Sequence, residues 1–339
     1  MEKPLVSVIV IAYNLQDLIG ECLDSVWKQD YDNFEVIVVD DGSRDDTLAV
    51  IKEKCQSGRA IIVDKENGGV VSARKAGLSA ANGDYVTFVD GDDWLNKDML
   101  SNFVREIAPG SEPDIIMTRR FKQRKDGSIV TTCDEAEYLA GSNPDQYFLN
   151  IMQGRLDHMM TAKFYKREFL IRARFLEYPE TSMGEDLMFN ACLGCYQPRV
   201  VYGKSVNYYY RYNQGSLIRR GGAKLLNQIQ SLENIETVLR QTGYAEKYPG
   251  ITQGQWLTYC EAYLISPHTS LRVKNKIIES CRSKLKGIEQ NPYFQDRSKG
   301  WFRRTNLKVY HYFPCWLVGP VSEMLFYVNS AVTGRNWTA

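Results

Sequence analysis

The chain has 339 residues, 44% hydrophobic and 24% charged, with 21 Tyr, 13 Phe and 6 Trp. That composition excludes a disordered chain and predicts roughly two globular domains with a sizeable core. The net charge of +1 gives no ground for a nucleic-acid partner, but it is unevenly spread. Residues 1–110 hold 11 basic and 20 acidic residues, whereas residues 271–310 hold 11 basic and 3 acidic ones.

In chain order, Val6–Ala12 reads as a buried strand. Leu18, Ile19, Cys22, Leu23, Val26 and Trp27 then make one helical stripe. Phe34–Val39 and Ala60–Val63 are further apolar runs, and Val70–Ala80 has helical spacing. Gly83-Asp84 breaks that helix before a strand at Tyr85–Val89. Leu100, Phe103, Val104 and Ile107 return to helical spacing, followed by a strand at Asp114–Thr118. Apolar strands alternating with helices predict an α/β fold with a mostly parallel central sheet, covered on both faces. Residues 120–220 are less regular and rich in Arg and Tyr. Leu225, Ile229, Leu232, Ile235 and Leu239 predict a helix within 222–242, and a second spans Ile251–Ile265. The expected division is therefore residues 1–220, with halves 1–120 and 121–220, and a helical C-terminal region over 221–339.

The N-terminus lacks the pattern of a signal peptide. The longest apolar stretch, Val309–Val332, is interrupted by Pro314, Pro320 and Glu323, a poor match to a spanning helix of about 20 apolar residues. Eight Cys are scattered, and the lone Cys192/Cys195 pair reads as packed thiols rather than a zinc site. A cytoplasmic chain is expected.

Ligands of such sheets bind outside the carboxyl ends of the strands. The polar residues there are Tyr13-Asn14, Asp40-Asp41-Gly42-Ser43, Asp64 and Asp90-Gly91-Asp92-Asp93. So many neighbouring carboxylates repel one another unless a cation or donor groups offset them.

Four segments, in this order and spacing, resemble family 2 glycosyltransferases: Val6–Asn14; Val38-Val39-Asp40-Asp41-Gly42-Ser43; Asn67-Gly68-Gly69 with Arg74; and Phe88-Val89-Asp90-Gly91-Asp92-Asp93-Trp94. The resemblance covers about residues 4–215. It implies a GT-A fold, a nucleotide-sugar donor, a divalent cation (Mn2+ or Mg2+) and inversion at the anomeric carbon. It is nearest to bacterial enzymes that build capsule, teichoic-acid or other surface glycans.

On that resemblance Ala12, Tyr13, Asn14, Asp41, Gly69, Arg74, Asp90 and Gly91 are nucleotide-binding candidates. The Tyr13 ring can cover a base, and Asp41 can accept the single ring N–H of uracil, which favours a UDP-sugar. The same Asp40–Ser43 segment also suits a turn with Asp45 or Asp46 capping a helix. Asp92 is the first candidate metal ligand and Asp90 the second, beside a diphosphate whose charge a hard cation would neutralise. Asp93 could instead cap the next helix. Ser182-Met183-Gly184-Glu185-Asp186-Leu187 resembles the family's Glu-Asp motif, which makes Asp186 the base that takes the acceptor's proton and Glu185 an acceptor-orienting residue. Both acids also suit a helix N-terminus. Tyr208-Tyr209-Tyr210-Arg211 with Ser216 resembles a segment closing over the diphosphate; the tyrosines, Tyr208 and Tyr209 above all, equally suit an aromatic strand in the core. Trp94 joins Arg211, Ser216 and Glu185 as a diphosphate or acceptor candidate.

The basic stretch 271–310 and the aromatic run after it suit contact with an anionic membrane surface through 271–339. They equally suit a solvated helical face with the apolar tail packed on the protein or in a homo-oligomer. The expected function is transfer of a sugar from a UDP-sugar to a hydroxyl of a glycan or lipid-linked acceptor in surface polysaccharide synthesis, in the cytoplasm and peripherally at the inner face of the membrane. The alternatives are extension of a glycan on a protein acceptor, or a catalytically silent nucleotide-sugar-binding protein.

Overall fold

A computed structural model describes residues 3–56, 60–107, 112–132, 135–141, 143–181, 183–212, 226–264 and 270–293. The chain divides into two compact units, Met1–Gln214 and Gly215–Ala339.

The first unit opens with strands β1 (Val6–Ala12), β2 (Phe34–Asp40), β3 (Ala60–Asp64) and β4 (Tyr85–Asp90). They lie in the order β3-β2-β1-β4 and run parallel, so each connection carries a helix: α1 (Ile19–Trp27), α2 (Thr47–Lys54) and α3 (Gly69–Ala80). All seven residues of β1 are buried, which is why its apolar run does not alternate. Val6, Val8 and Val10 pack with Ile19, Cys22, Leu23 and Val26 of α1. On the other face Ile9 meets α3 at Gly77. Each such aliphatic side chain contributes about 1.5–3 kcal/mol when fully buried. The register pairs Ala12 with Asp40, Asp40 with Asp64 and Ile11 with Asp90, so the polar strand ends stand in one row.

The sheet continues as β4-β8-β6-β9-β5 through β5 (Trp94–Leu95), β6 (Ile115–Gln123), β8 (Lys163–Lys166) and β9 (Val200–Tyr210). A short β7 (Ile129–Thr131) pairs with β6. Helices α4 (Met99–Arg105), α5 (Gln146–Met152), α6 (Arg167–Arg172) and α7 (Glu185–Gly194) complete the unit. Antiparallel pairings enter at β4–β8, β6–β8 and β5–β9. The parallel sheet expected from the first 120 residues is thus extended by strands with mixed polar and aromatic sequences, where the apolar period is weak.

The second unit is helical in its described residues, over Asn227–Gln241, Tyr244–Lys247, Gln253–Leu264 and Leu271–Lys284. Leu232, Ile235, Leu239, Trp256, Ile277, Ile278 and Cys281 are buried. Lys284 pairs with Glu236 and lies 5.3 Å from the Trp256 ring centroid. The described part of the basic stretch therefore folds as an amphipathic helix with its apolar side turned inward. The rest of that stretch and the aromatic run at 310–318 lie outside the described residues. Among the described residues no helix is long and apolar enough to cross a membrane.

Candidate active site

The row of strand ends forms two acidic clusters. In the first, at the end of β2, Asp40 accepts hydrogen bonds from the Ser43 backbone N–H (3.1 Å) and hydroxyl (2.5 Å). Asp41 Oδ1 accepts from Lys65 Nζ at 2.6 Å and the Gly68 N–H at 3.0 Å. Its Oδ2 accepts from the Gly69 N–H at 2.7 Å and Asn67 Nδ2 at 3.2 Å. The Asn67-Gly68-Gly69 loop is thereby hung on Asp41 at the N-terminus of α3, where unpaired N–H groups favour an anion. The Asp41 N–H donates to the Ala12 carbonyl (2.9 Å), which fixes the end of β1 beside that of β2. Asn14, at φ 54°, donates its N–H to Ser43 Oγ and accepts the Arg44 N–H on Oδ1, so it fastens two loops together. Tyr13 is 42% exposed at the mouth of this region.

The second cluster begins at the end of β4. The Gly91 N–H donates to the Ile11 carbonyl (2.9 Å), and a Cβ on Gly91 would lie only 2.8 Å from that oxygen. Glycine is therefore needed for the turn to approach β1 so closely. Asp93 is buried and accepts from the Tyr208 hydroxyl (2.6 Å) and the Arg211 N–H (2.8 Å). Gly184 at φ 75° opens α7 and puts Glu185 and Asp186 in its first turn. From α3, Arg74 reaches across the site with only 1% of its side chain exposed. One terminal nitrogen lies 2.7 Å from Asp186 Oδ1 and 3.8 Å from Glu185 Oε1, while the other lies 3.3 Å from Asp90 Oδ1. Its Nε has no hydrogen-bond partner.

Charge in this second cluster is poorly balanced. Burial pushes the Asp90 carboxyl up to about 6; Arg74 opposes this, and Asp186 and Asp92 add to it. Burial and then the charge of Asp186 push Glu185 up to about 7 against the pull of Arg74. Burial, Asp92 and Asp90 hold Asp93 well above the usual carboxylate range. Burial also works against the charge on Arg74, but Asp186, Asp90 and Glu185 outweigh it and raise its pKa. One guanidinium thus faces carboxylates that outnumber it, and further positive charge would be accommodated here.

Arg211, just past β9, sits over the Trp94 ring at 4.4 Å from its centroid. Its Nε donates to the Asp92 carbonyl (2.7 Å) and a terminal nitrogen pairs with Glu21 (2.6 Å). Trp94 also stacks on Tyr209, with centroids 5.0 Å apart and planes 9° from parallel. Arg211 is thus held against the β4 turn by the Trp94 ring and the Asp92 carbonyl. Ser216 lies outside the described residues. Cys192 and Cys195 are buried free thiols.

The structure thus brings Asp90, Arg74, Glu185 and Asp186 together. It ties Arg211 and Trp94 to the same turn, and leaves Tyr13, Asp41 and Gly69 around the first cluster. Sequence reasoning missed three residues. Lys65 had a signal, since it follows the β3 residue in register with Asp40. Tyr208 was seen as a core tyrosine but not as the donor that holds Asp93. Glu21 lies on the exposed side of α1, 190 residues from Arg211, and nothing local marks it.

Among the described residues no group of three or more His, Cys, Asp or Glu is arranged to hold a metal ion. Asp90 and Asp92 fit a cation that takes one or two carboxylates and completes its shell with phosphate oxygens and water. Burial is the main cause of the raised pKa of Asp90, and the charges of Asp186 and Asp92 add to it against the pull of Arg74.

The fold is that of a glycosyltransferase. Residues 7–172, just under half of the chain, match the family model of Glycosyl transferase family 2. It is 29% identical to EpsH of Bacillus subtilis (strain 168), named as a glycosyltransferase, over 253 residues that make up 73% of each chain. It is 41% identical to TuaG of the same organism, named for teichuronic acid biosynthesis, over 100 residues: 29% of this chain and 40% of TuaG. Among solved structures it is similar to S. aureus TarS 1–349 in complex with UDP-GlcNAc. That match has a TM-score of 0.67 and 20% identity, and covers 98% of this chain and 93% of TarS 1–349, a likeness of fold.

Proposed function

We propose that this glycosyltransferase moves a sugar from a UDP-sugar to a hydroxyl of a glycan or lipid-linked acceptor, with inversion, in the synthesis of a surface polysaccharide. The carrying observation is the bridge made by Arg74 between Asp90 at the end of β4 and Asp186 at the start of α7. In this reading they are the donor-side and the acceptor-side carboxylate of one partly buried cluster. UDP is supported by the TarS complex and by the exposed Tyr13 ring; a base N–H reaching Asp41 would share oxygens already engaged by four donors. The surface-glycan setting is supported by the likeness to TuaG. A lipid-linked acceptor would bring the enzyme to the inner face of the membrane.

In the proposed single displacement, Asp186 takes the proton of the acceptor hydroxyl. The freed oxygen forms a bond to the anomeric carbon, the bond from that carbon to the diphosphate oxygen breaks, and its electron pair leaves with UDP. Asp92 and Asp90 would hold Mn2+ or Mg2+, which supplies Lewis-acid neutralisation of the diphosphate when bound. Arg211, held at the Asp92 carbonyl, is in position to add a second positive charge on the leaving-group side.

The test is a panel of UDP-sugars, led by UDP-GlcNAc, assayed for UDP release with Mn2+ and with candidate acceptors. Acceptor-dependent release with one donor is expected. Failure of every UDP-sugar to bind or to release UDP overturns the reading.

A further inference from the structure

We infer that Arg74 is a positioning residue for the transfer: it commits one oxygen of Asp186 and thereby aims the other at the acceptor hydroxyl. The inference rests on Asp186 acting as the base. The resemblance assigns Arg74 to the nucleotide, but the geometry gives it a different partner. Its shortest ion pair is with Asp186 Oδ1 at 2.7 Å, against 3.3 Å to Asp90 and 3.8 Å to Glu185.

With 1% of its side chain exposed, Arg74 could meet a diphosphate only by leaving these partly buried carboxylates without their counter-ion. Its backbone is equally fixed. Val71, Ala73 and Leu78 of α3 are buried, and Asp41 holds the helix N-terminus through the Gly68 and Gly69 N–H groups. Asp186 starts a different helix, and 14% of its side chain remains exposed.

The chemistry of the pair follows from these placements. Arginine stays protonated at any working pH, so it neither takes nor gives the proton in transit. With Oδ1 engaged by the guanidinium, the proton from the acceptor goes to Oδ2. The planar fork matters as well, because its two ends hold Asp186 and Asp90 together. A lysine ammonium offers one compact charge and cannot span both carboxylates in that arrangement. Asp90 is thereby joined to the orientation of the base, although it sits on the nucleotide side.

The experiment compares wild type and Arg74→Lys by UDP titration calorimetry and by steady-state kinetics with the donor found active. Displacing a catalytic group by about 1 Å can cost on the order of 100-fold, so kcat is expected to fall by about that factor. The Kd for UDP should stay within about threefold, because the lost interaction serves the transition state. Unchanged kcat overturns the inference. So does a loss confined to UDP Kd and KM with kcat retained, which would return Arg74 to the nucleotide.

If Arg74→Lys does not fold, judged by its melting curve, Asp186→Glu carries the test. A base remains, but with one carboxyl oxygen anchored on Arg74 the extra methylene misdirects the other. In that variant kcat should fall by about 100-fold with UDP affinity kept, and near-normal kcat overturns the inference. A wild-type protein that releases UDP from no sugar nucleotide fails earlier, at the proposed function, and takes this inference with it.

Discussion

The acidic ends of β2 and β4 look alike as sequence, Asp-Asp-Gly-Ser against Asp-Gly-Asp-Asp, and differ sharply in what surrounds them. Asp40 and Asp41 are met by the Ser43 N–H and hydroxyl, Lys65, Asn67 and the Gly68 and Gly69 N–H groups. Their charge is absorbed by the protein. At the end of β4, Asp90 shares Arg74 with Asp186 and Glu185, and burial raises Asp90 and Glu185 toward neutrality. The contrast separates two meanings of an acidic strand end. Where helix N–H groups and a lysine converge, acidity organises loops. Where acids face acids across a buried arginine, negative charge outnumbers positive, which is the setting that the proposed cation and base would use.

The contrast is broken most directly at Asp186. Asp186→Asn removes the proton acceptor and should lower kcat by about 10²–10⁴-fold, with UDP affinity unchanged by calorimetry. Parallel loss of UDP binding would mean that nucleotide and acceptor sides are not separable as argued. A smaller effect, on the order of 100-fold, is expected from stripping divalent cations with a chelator, with recovery on adding Mn2+ or Mg2+. Asp92→Asn should raise the Mn2+ concentration needed for half-maximal transfer, whereas Asp41→Asn should not. A shift of equal size in both variants would erase the distinction between the two strand ends.

A third measurement needs no substrate. Since burial and the charge of Asp186 raise Glu185 from 4.5 to about 7, the folded chain binds a proton there more tightly than the unfolded chain. The stability from that proton is fully present below about pH 4.5 and is lost as pH rises through about 7. The shift corresponds to a few kcal/mol, on the order of 3. Glu185→Gln, neutral at all pH values, should therefore unfold at higher urea than wild type at pH 8, and the gap should narrow as pH falls and close below about pH 4.5. Asp93 shifts in the same sense in both proteins, and the difference reports Glu185 together with its coupling to Asp186 and Asp90. A gap independent of pH would show that the substitution acts through packing instead.

Much of this arrangement was legible in the sequence, for identifiable reasons. β1, β2 and β4 could be read because strands buried on both faces need continuous apolar runs, and the residues after them mark the ligand edge. The Glu185-Asp186 pair was legible through resemblance, and Gly184 at positive φ explains the abrupt start of α7. The antiparallel β8 was not legible: Lys163–Lys166 is four residues with charge at both ends, and only its pairing with β4 and β6 makes it a strand. Arg74 was legible as a site residue, but its ion pair with Asp186 was not, because Asp186 is 112 residues away on another helix. Spacing along a chain carries no information about which carboxylate a buried guanidinium will choose. Trp94 could be read as aromatic and near the site, but not as the ring that meets both Tyr209 and Arg211.

The smallest expected effect tests the quiet side of the comparison. In Asp41→Asn the amide keeps one acceptor oxygen and replaces the other by an NH2 group. Either orientation turns that NH2 toward donors: Lys65 and the Gly68 N–H on one side, or the Gly69 N–H and Asn67 on the other. Leaving such buried donors unsatisfied costs about 1–3 kcal/mol, read as a lower urea midpoint. Lys65→Met separates the two contributions. It removes the ion pair but leaves both backbone N–H bonds to Asp41 intact, and a partly exposed pair contributes only about 0–1 kcal/mol. The expected order is thus a clear loss for Asp41→Asn and a slight one for Lys65→Met. Equal losses would shift the role of Asp41 from holding the N-terminus of α3 to neutralising one lysine, and the two strand ends would then differ in degree rather than in kind.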